Sequence, residues 1–296
     1  MRLGVIQLGA VRRQPDAVRR LDGEHHFFDH RAIELRVVNR RAVAASLMPN
    51  AVISEIETAL AGLTRSNVEL IVAGRTDAGV HATAQVAHVD LPERDKYGKE
   101  WSTQDLVYRL NRMLTEEIRI KSISIAPPYF HARFSALRRT YVYKIADGQR
   151  LLEPLKRFDI VTWYRHLDLS RMNDASARLL GEHDFATFCK PGGAGTSIRR
   201  LEKFHWERIA DASLVATVTA DAFCYSMVRN IVGAVVCVGE GRFEPDWIST
   251  LLINKTRVSE SMVFPARGLT LVAVEYPNDT ELQSRAAITI RRRDEE

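Results

Sequence analysis

The sequence predicts a mixed α/β protein that divides into two halves. Short β-branched runs bounded by glycine or proline alternate with longer segments whose apolar residues recur every three or four positions, a pattern typical of strands and amphipathic helices. Pro127 and Pro128 close one strand and mark a border near the middle of the chain. With 296 residues, 46% of them hydrophobic, the chain can bury a substantial core.

The first fifty residues show no sustained strand or helix period, so residues 1–50 stay unassigned. Their nine Arg and no Lys, against five acidic residues, leave this segment with a net charge of +4. The first predicted element follows directly. It is a helix with one apolar stripe, formed by Val52, Ile56, Leu60 and Leu63.

Two short predicted strands, residues 68–73 and 84–89, flank the segment Gly74–His81. Within this segment Asp77 is followed by an alanine and a glycine, so a planar substrate could approach its carboxylate closely. Arg75 lies two residues away and, in an extended chain, would point to the same face and favour the ionised carboxylate. A solvated ion pair or a capping carboxylate is the ordinary explanation of such a turn, so spacing alone does not establish catalysis.

The alternation typical of strands and the recurrence every three or four residues typical of helices also predict the remaining elements. Ser102 or Thr103 can cap the helix that starts there, because either side chain can accept a backbone N–H of the first turn. We predict helices at 103–114, 170–180, 227–238 and 246–253 and strands at 118–125, 138–145, 214–220 and 268–277.

One cation interrupts the nearly apolar helix 227–238. Arg229 falls in its first turn, where the helix dipole disfavours a positive charge by about 0.3–1 kcal/mol. Burying it unpaired would cost more, so Arg229 needs an anionic partner, which the residues alone do not identify. Tyr141 lies on one face of an alternating strand, and by itself a core position is its simpler explanation.

Composition limits the class of protein. The net charge of +5 is compatible with a polyanionic partner. Three cysteines, odd in number and far apart, predict neither a disulfide framework nor a zinc site, and the histidines share no metal-ligand spacing. Without a secretory signal or an apolar run of about 18 residues, we expect a reduced cytoplasmic protein that does not span a membrane.

Three motifs together resemble the TruA family of tRNA pseudouridine synthases. They are AGRTDAGVHA at residues 73–82, followed by Gln85 and Val86; FHARFS at 130–135, followed by a basic pair and Tyr-x-Tyr; and MVRNIVG at 227–233. The resemblance runs from about residue 52 to 277. It implies two similar halves, each a sheet backed by helices, that form one extended mixed sheet with a central cleft.

The resemblance also implies an activity, the isomerisation of uridine to pseudouridine in the anticodon arm of tRNA at positions 38–40. It implies a homodimer that uses no metal or cofactor. The implied site residues are Asp77 as nucleophile with Arg75 and Arg229, and Tyr141, Arg133, Arg139 and Leu271 against the substrate. For Leu271 simple core packing is the more ordinary explanation. Whether Asp77 adds to the base, attacks the sugar or removes a ribose proton stays open.

The predicted organisation is residues 51–128 as the first half, 129–277 as the second and 278–296 as a disordered tail. The family's opening Tyr-Asp-Gly-Thr and Gly-Trp-Gln stretches are missing from residues 1–50. Either this segment has diverged or its reading frame is shifted and restored near residue 50. Translating the upstream DNA in the other frames decides between the two.

Two other classes of function stay open. A non-catalytic tRNA-binding protein or RNA chaperone could keep the same scaffold, if the unusual amino terminus has removed the activity. A hydrolase could use Asp77 with His81 or His131, although it should need a metal or a pH-dependent histidine, and the spacing does not support either.

Overall fold

A computed structural model describes residues 30–39, 51–95, 97–148, 152–190, 196–209, 213–254, 263–285 and 288. The predictions for residues 1–29 and 40–50, and for most of the chain after residue 285, lie outside these residues. The described strands form one mixed sheet with the order β4-β1-β3-β11-β6-β10-β9-β8, to which β2, β5 and β7 add at β3, β1 and β6.

The elements have the following bounds. The strands are β1 (His30–Asn39), β2 (Ile71–Val72), β3 (His81–His88), β4 (Asp90–Pro92), β5 (Ile118–Ile125), β6 (Arg138–Asp147), β7 (Val161–Trp163), β8 (Gly181–Asp184), β9 (Ile198–Arg208), β10 (Leu214–Ala220) and β11 (Leu269–Glu275). The helices are α1 (Ala51–Thr64), α2 (Thr103–Met113), α3 (Leu169–Ala177), α4 (Met227–Gly239) and α5 (Trp247–Asn254). None of these described helices is long and apolar enough to cross a membrane.

The first half is organised around β1, which pairs antiparallel with β3, β4 and β5. Ile33, Leu35 and Val37 are buried at alternate positions of β1, whereas the charged residues between them stay partly exposed. The buried residues pack with apolar side chains of α1 and α2, among them Leu60 and Leu110, in one core cluster.

The second half is organised around β6 and α4. β6 pairs antiparallel with β10, and β9 and β8 follow it at the edge of the sheet. Every residue of α4 except Arg229 is buried, as its sequence predicts. The core beside it contains large aromatic side chains such as Trp206, Phe185 and Phe188.

β11 joins the two halves. It pairs antiparallel with β6 and parallel with the start of β3, where Leu271 lies opposite Ala82 on one side and Tyr141 on the other. The chain therefore closes a continuous sheet across the border with one of its last elements. The predicted single extended mixed sheet is confirmed.

Most predicted helices and strands occur within a few residues of their predicted bounds, and Ser102 caps α2. The exceptions have local causes. Only Ile71–Val72 of the predicted strand 68–73 is a strand, because the Leu70 N–H donates to Glu57 Oε1 instead of to a neighbouring strand. Residues 30–39, within the segment left unassigned, form β1, and β8 and β9 are further strands that the predicted elements do not include.

The predicted disordered tail is wrong for residues 278–285. A short 3-10 helix at Asp279–Glu281 leads into a helical turn, and Leu282 is buried. Arg285 donates to the Ala136 carbonyl at 3.3 Å, which ties this segment to the body. Charge and position in the chain suggested a solvated tail, but a single apolar side chain anchors it.

The absence of disulfides predicted from cysteine spacing is also wrong for one pair. Cys189 and Cys224 form a disulfide with 5.7 Å between their Cα atoms, and the Cys237 thiol is buried. The partners are 35 residues apart in sequence and belong to the segments that follow β8 and β10. Only the tertiary fold brings these segments together, so spacing carried no signal of the pairing.

Candidate active site

The loop between β2 and β3, residues 73–80, carries Asp77. Its first two residues are fixed by two hydrogen bonds, one from the Ala73 N–H to the Val86 carbonyl and one from Gln85 Nε2 to the Gly74 carbonyl, each 2.8 Å. Gly79 has a φ of 82° and would place a Cβ 3.3 Å from that of Ala266, so both its conformation and its surroundings require glycine. The loop thus presents Asp77 in a turn beside the second half.

Two donors from the start of α4 converge on one oxygen of Asp77. Arg229 Nη1 lies 2.7 Å and Ser226 Oγ lies 2.8 Å from Oδ2. The pair is largely removed from water, with side-chain exposures of 13% for Asp77 and 19% for Arg229. The anionic partner that Arg229 needs is therefore Asp77, which is 152 residues away in sequence.

Arg229 is held from both ends. Its Nε donates to the Phe264 carbonyl at 2.7 Å, and the Phe264 N–H donates back to the Arg229 carbonyl. A planar guanidinium can donate to the Phe264 carbonyl through Nε and to Asp77 through Nη1 at once, which a lysine ammonium cannot. Because Asp77 belongs to the first half and Arg229 to the second, their ion pair is a polar link between the halves.

Tyr141 forms a buried wall next to the Asp77 loop. A Cβ built on Gly74 would lie 3.7 Å from its hydroxyl oxygen, and the ring of Phe223 packs edge-on at a centroid distance of 5.2 Å. Burial, with a smaller contribution from the Asp77 charge, raises the pKa of Tyr141 to about 12. The hydroxyl therefore stays protonated at neutral pH.

Arg139 has a different position from the one that the motif suggested. Its buried guanidinium donates to the carbonyls of Ala73, Arg133, Ala136 and Asp221 at 2.6–3.5 Å. These carbonyls belong to the Asp77 loop, the FHARFS segment and the segment before α4. Arg139 thus joins the backbone of three site segments, and this geometry corrects its predicted place against the substrate.

The remaining predicted residues lie at different depths. Leu271 is fully buried in the core cluster, so the core explanation applies to it. The Arg133 guanidinium lies 5.6 Å from the centre of the Phe134 ring.

Arg75 is exposed and lines the same small cavity as Asp77, about 40 Å³ in volume. The predicted ion pair of Arg75 with Asp77 is absent from these described residues, because the loop turns there instead of continuing as an extended strand.

The histidines named for a hydrolase are engaged in the scaffold. His131 Nδ1 accepts the backbone N–H groups of Arg133 and Phe134, and its ring lies 4.7 Å from that of His88. Burial lowers the pKa of His131 to about 4. His81 Nε2 lies 2.7 Å from the Phe158 carbonyl. Within the described part of the chain, no group of three His, Cys, Asp or Glu side chains could hold a metal ion.

Sequence reasoning missed Ser226. A serine before a helix indicates an ordinary N-cap, yet the Ser226 side chain makes no cap hydrogen bond and donates to Asp77 instead. Its backbone is in the left-handed region, with φ 60° and ψ 10°, which sequence does not reveal for a serine. The MVRNIVG motif starts at the next residue and was the only nearby signal.

Comparisons with known proteins identify the family of the chain. A family model described as tRNA pseudouridine synthase matches residues 175–277. The tRNA pseudouridine synthase A of Frankia casuarinae is 48% identical over 79% of this chain and 84% of its own. Those of Cutibacterium acnes and Streptomyces griseus are 45% and 47% identical, again over 79% of this chain, and over 83% and 82% of theirs.

The fold and the family match define the class of protein as a pseudouridine synthase. At this identity and coverage the particular family is also shown: the chain belongs to the tRNA pseudouridine synthase A family.

Proposed function

We propose that this protein converts uridine to pseudouridine in tRNA and that Asp77 is the carboxylate that starts the reaction. The observation that carries the proposal is the ion pair of Asp77 with Arg229, 2.7 Å long, at the joint of the two halves. The pair holds a carboxylate and a guanidinium together where little water reaches them. The family of the chain supplies the reaction class.

The isomerisation needs no redox partner. The bond from N1 of uracil to C1′ of ribose breaks, the base rotates, and a bond from C5 to C1′ forms. C5 loses its proton and N1 gains one, so atoms and electrons balance. The reaction requires an anion to start it and a dry pocket that retains the detached base, and Asp77 and the buried wall at Tyr141 are suited to these two tasks.

The target uridine must leave its stack before it can reach Asp77, at a cost of a few kcal/mol. Tyr141, neutral at the working pH, offers an aromatic surface for the extruded base. Arg75, exposed beside Asp77, has its cation available to the RNA backbone, and Arg133 is a second candidate for that contact. Arg139 contributes by fixing the site backbone.

The finer description is also part of this proposal. The substrate is the anticodon arm of tRNA, at uridines 38–40, and the enzyme is a cytoplasmic homodimer that acts without a cofactor. The net charge of +5 is small for a protein that binds RNA, and two copies would present a longer basic surface to one tRNA. Residues 51–128 and 129–277 are the two halves. One core cluster combines the first half with β1, and the other combines the second half with Ala73, Val80, Ala82 and Val86 of the first.

Tritium release tests the proposal. A tRNA transcript that carries tritium at C5 of its uridines should release label to water when the wild-type protein is added, because C5 exchanges its hydrogen for the bond to ribose. Cytidine at positions 38–40 should abolish the release, and release that continues from such a transcript would contradict the assigned positions. Binding of the transcript without release of tritium would favour the non-catalytic tRNA-binding alternative.

A further inference from the structure

We propose that Ser226 is a positioning residue, which occupies Oδ2 of Asp77 together with Arg229 and so reserves Oδ1 for the uridine. The inference rests on the proposed function of Asp77. Both donors reach the same oxygen, Ser226 Oγ at 2.8 Å and Arg229 Nη1 at 2.7 Å. Among the described residues, no donor reaches Oδ1. A carboxylate held through one oxygen has a fixed plane and presents the other oxygen in a fixed direction.

The backbone at Ser226 is held in an unfavourable conformation. A non-glycine residue with φ 60° is uncommon, and only three described residues other than glycine have a positive φ. The left-handed turn directs the Ser226 side chain away from its own helix, whose cap hydrogen bond is missing. Two local preferences are thus given up at one residue for one distant contact, which is the behaviour expected at a functional position.

The surroundings keep Ser226 in place. Cys224, two residues earlier, is tied to Cys189 by the disulfide, and the Tyr225 carbonyl accepts the Lys190 N–H at 3.0 Å. Phe223 packs against Tyr141. The segment before α4 is therefore tied to residues 189–190 and packed against Tyr141, so that loss of the Ser226 hydroxyl alone should not displace it.

The left-handed conformation supplies a matched pair of variants. Glycine adopts it without strain, so Ser226→Gly removes the hydroxyl and leaves the backbone as it is. Asparagine also tolerates this conformation and carries an amide donor, so Ser226→Asn should restore a hydrogen bond to Oδ2. A role limited to packing or to backbone conformation would not separate these two variants in this order.

Single-turnover tritium release and filter binding on the C5-tritiated tRNA transcript test the inference. Ser226→Gly should react about 10- to 100-fold more slowly, as expected for a lost hydrogen bond to a charged group, with a tRNA Kd within about twofold of wild type. Ser226→Asn should recover at least about half of the lost factor on a logarithmic scale.

Three results would overturn the inference: a wild-type rate for Ser226→Gly, equally slow Gly and Asn variants, or a weaker Kd that accounts for the whole effect. Thermal unfolding of both variants checks that each is folded. A wild-type protein that releases no tritium from the transcript would instead reject the proposed function itself, so the two failures are distinguishable.

Discussion

The first half of the molecule contributes the carboxylate of the candidate site from a loop, whereas the second half contributes the groups that hold it from the start of a buried helix. Asp77 lies between a two-residue strand, β2, and β3, and the hydrogen bonds to its carboxylate come from outside its own half. Arg229 lies in the first turn of a helix whose other residues are all buried. The difference teaches that the carboxylate is oriented by docking of the halves and not by its own loop. Variants that separate these contributions test the comparison.

The largest effect is expected when the charge of the loop is removed. Asp77→Asn keeps the side-chain volume and can still accept from Ser226, but it provides no anion. Isomerisation should fall by at least about 10³-fold, measured by tritium release. The Kd for tRNA should change by less than about threefold in filter binding. A loss of binding as large as the loss of rate would contradict the role assigned to Asp77.

Removal of the cation should affect both the reaction and the joint. Arg229→Ala leaves a carboxylate without its ion-pair partner, and we expect a loss of about 10²-fold in turnover and of about 3 kcal/mol in the free energy of unfolding by urea. Arg229→Lys keeps the charge but cannot contact the Phe264 carbonyl and Asp77 together. Its turnover and its free energy of unfolding should therefore lie between those of wild type and of Arg229→Ala. Turnover at the wild-type rate in Arg229→Ala would remove this residue from the site.

Reduction of the disulfide should weaken only the second half. Cys189 and Cys224 close a loop across 35 residues, for which the chain-entropy model gives about 3–4 kcal/mol. Dithiothreitol should therefore lower the urea midpoint of the oxidised wild type but not that of Cys189→Ser. The buried Cys237 thiol is common to both proteins, so an equal shift in both would show that reductant acts elsewhere.

Acid should weaken the contact of the two halves at His131 and His88. Burial lowers the pKa of His131 to about 4, so the unfolded chain, with an ordinary pKa near 6.5, binds the proton first. Stability from this group is therefore present above pH 6.5 and is lost as the pH falls towards 4, by up to about 1.4 kcal/mol per pH unit. His131→Asn keeps an acceptor for the two backbone N–H groups but does not titrate.

For His131→Asn, the free energies of unfolding by urea at pH 7 and pH 5 should therefore differ less than those of wild type do. The reduction should be about 1–2 kcal/mol. An unchanged difference between the two pH values would exclude His131 as the titrating group. Because His88 is also buried and its pKa is likewise held below the usual range, some pH dependence should persist in the variant.

Much of the fold was predictable because buried and exposed positions alternate in the sequence. The nearly apolar composition of α4 predicted its burial, and the lone cation in it predicted a distant anion. β1 was missed although Ile33, Leu35 and Val37 alternate with polar residues. The alternation covers only five residues, and the polar residues on either side of it obscured the pattern. For Arg75, the expectation of an ion pair assumed an extended chain where the structure has a turn.

The candidate site was predictable only where a single residue is unusual in its local sequence. An arginine in an apolar helix is anomalous by itself, so Arg229 was found. Ser226 is an ordinary residue at an ordinary place, and its role depends on a backbone conformation and on a partner 149 residues away. Arg139 looked like an RNA contact because a basic pair beside tyrosines suits RNA. Its guanidinium donates to four backbone carbonyls, two of which, those of Ala73 and Asp221, come from distant segments.

The position of β11 has a consequence for how the protein is made. This strand, Leu269–Glu275, is synthesised after every other described strand, and among the described strands it alone bridges β3 and β6. Each half can begin to collapse earlier during synthesis, but the sheet cannot be completed until translation has passed residue 275. Nascent or prematurely terminated chains should therefore leave cellular tRNA unmodified, and only finished chains acquire an assembled centre.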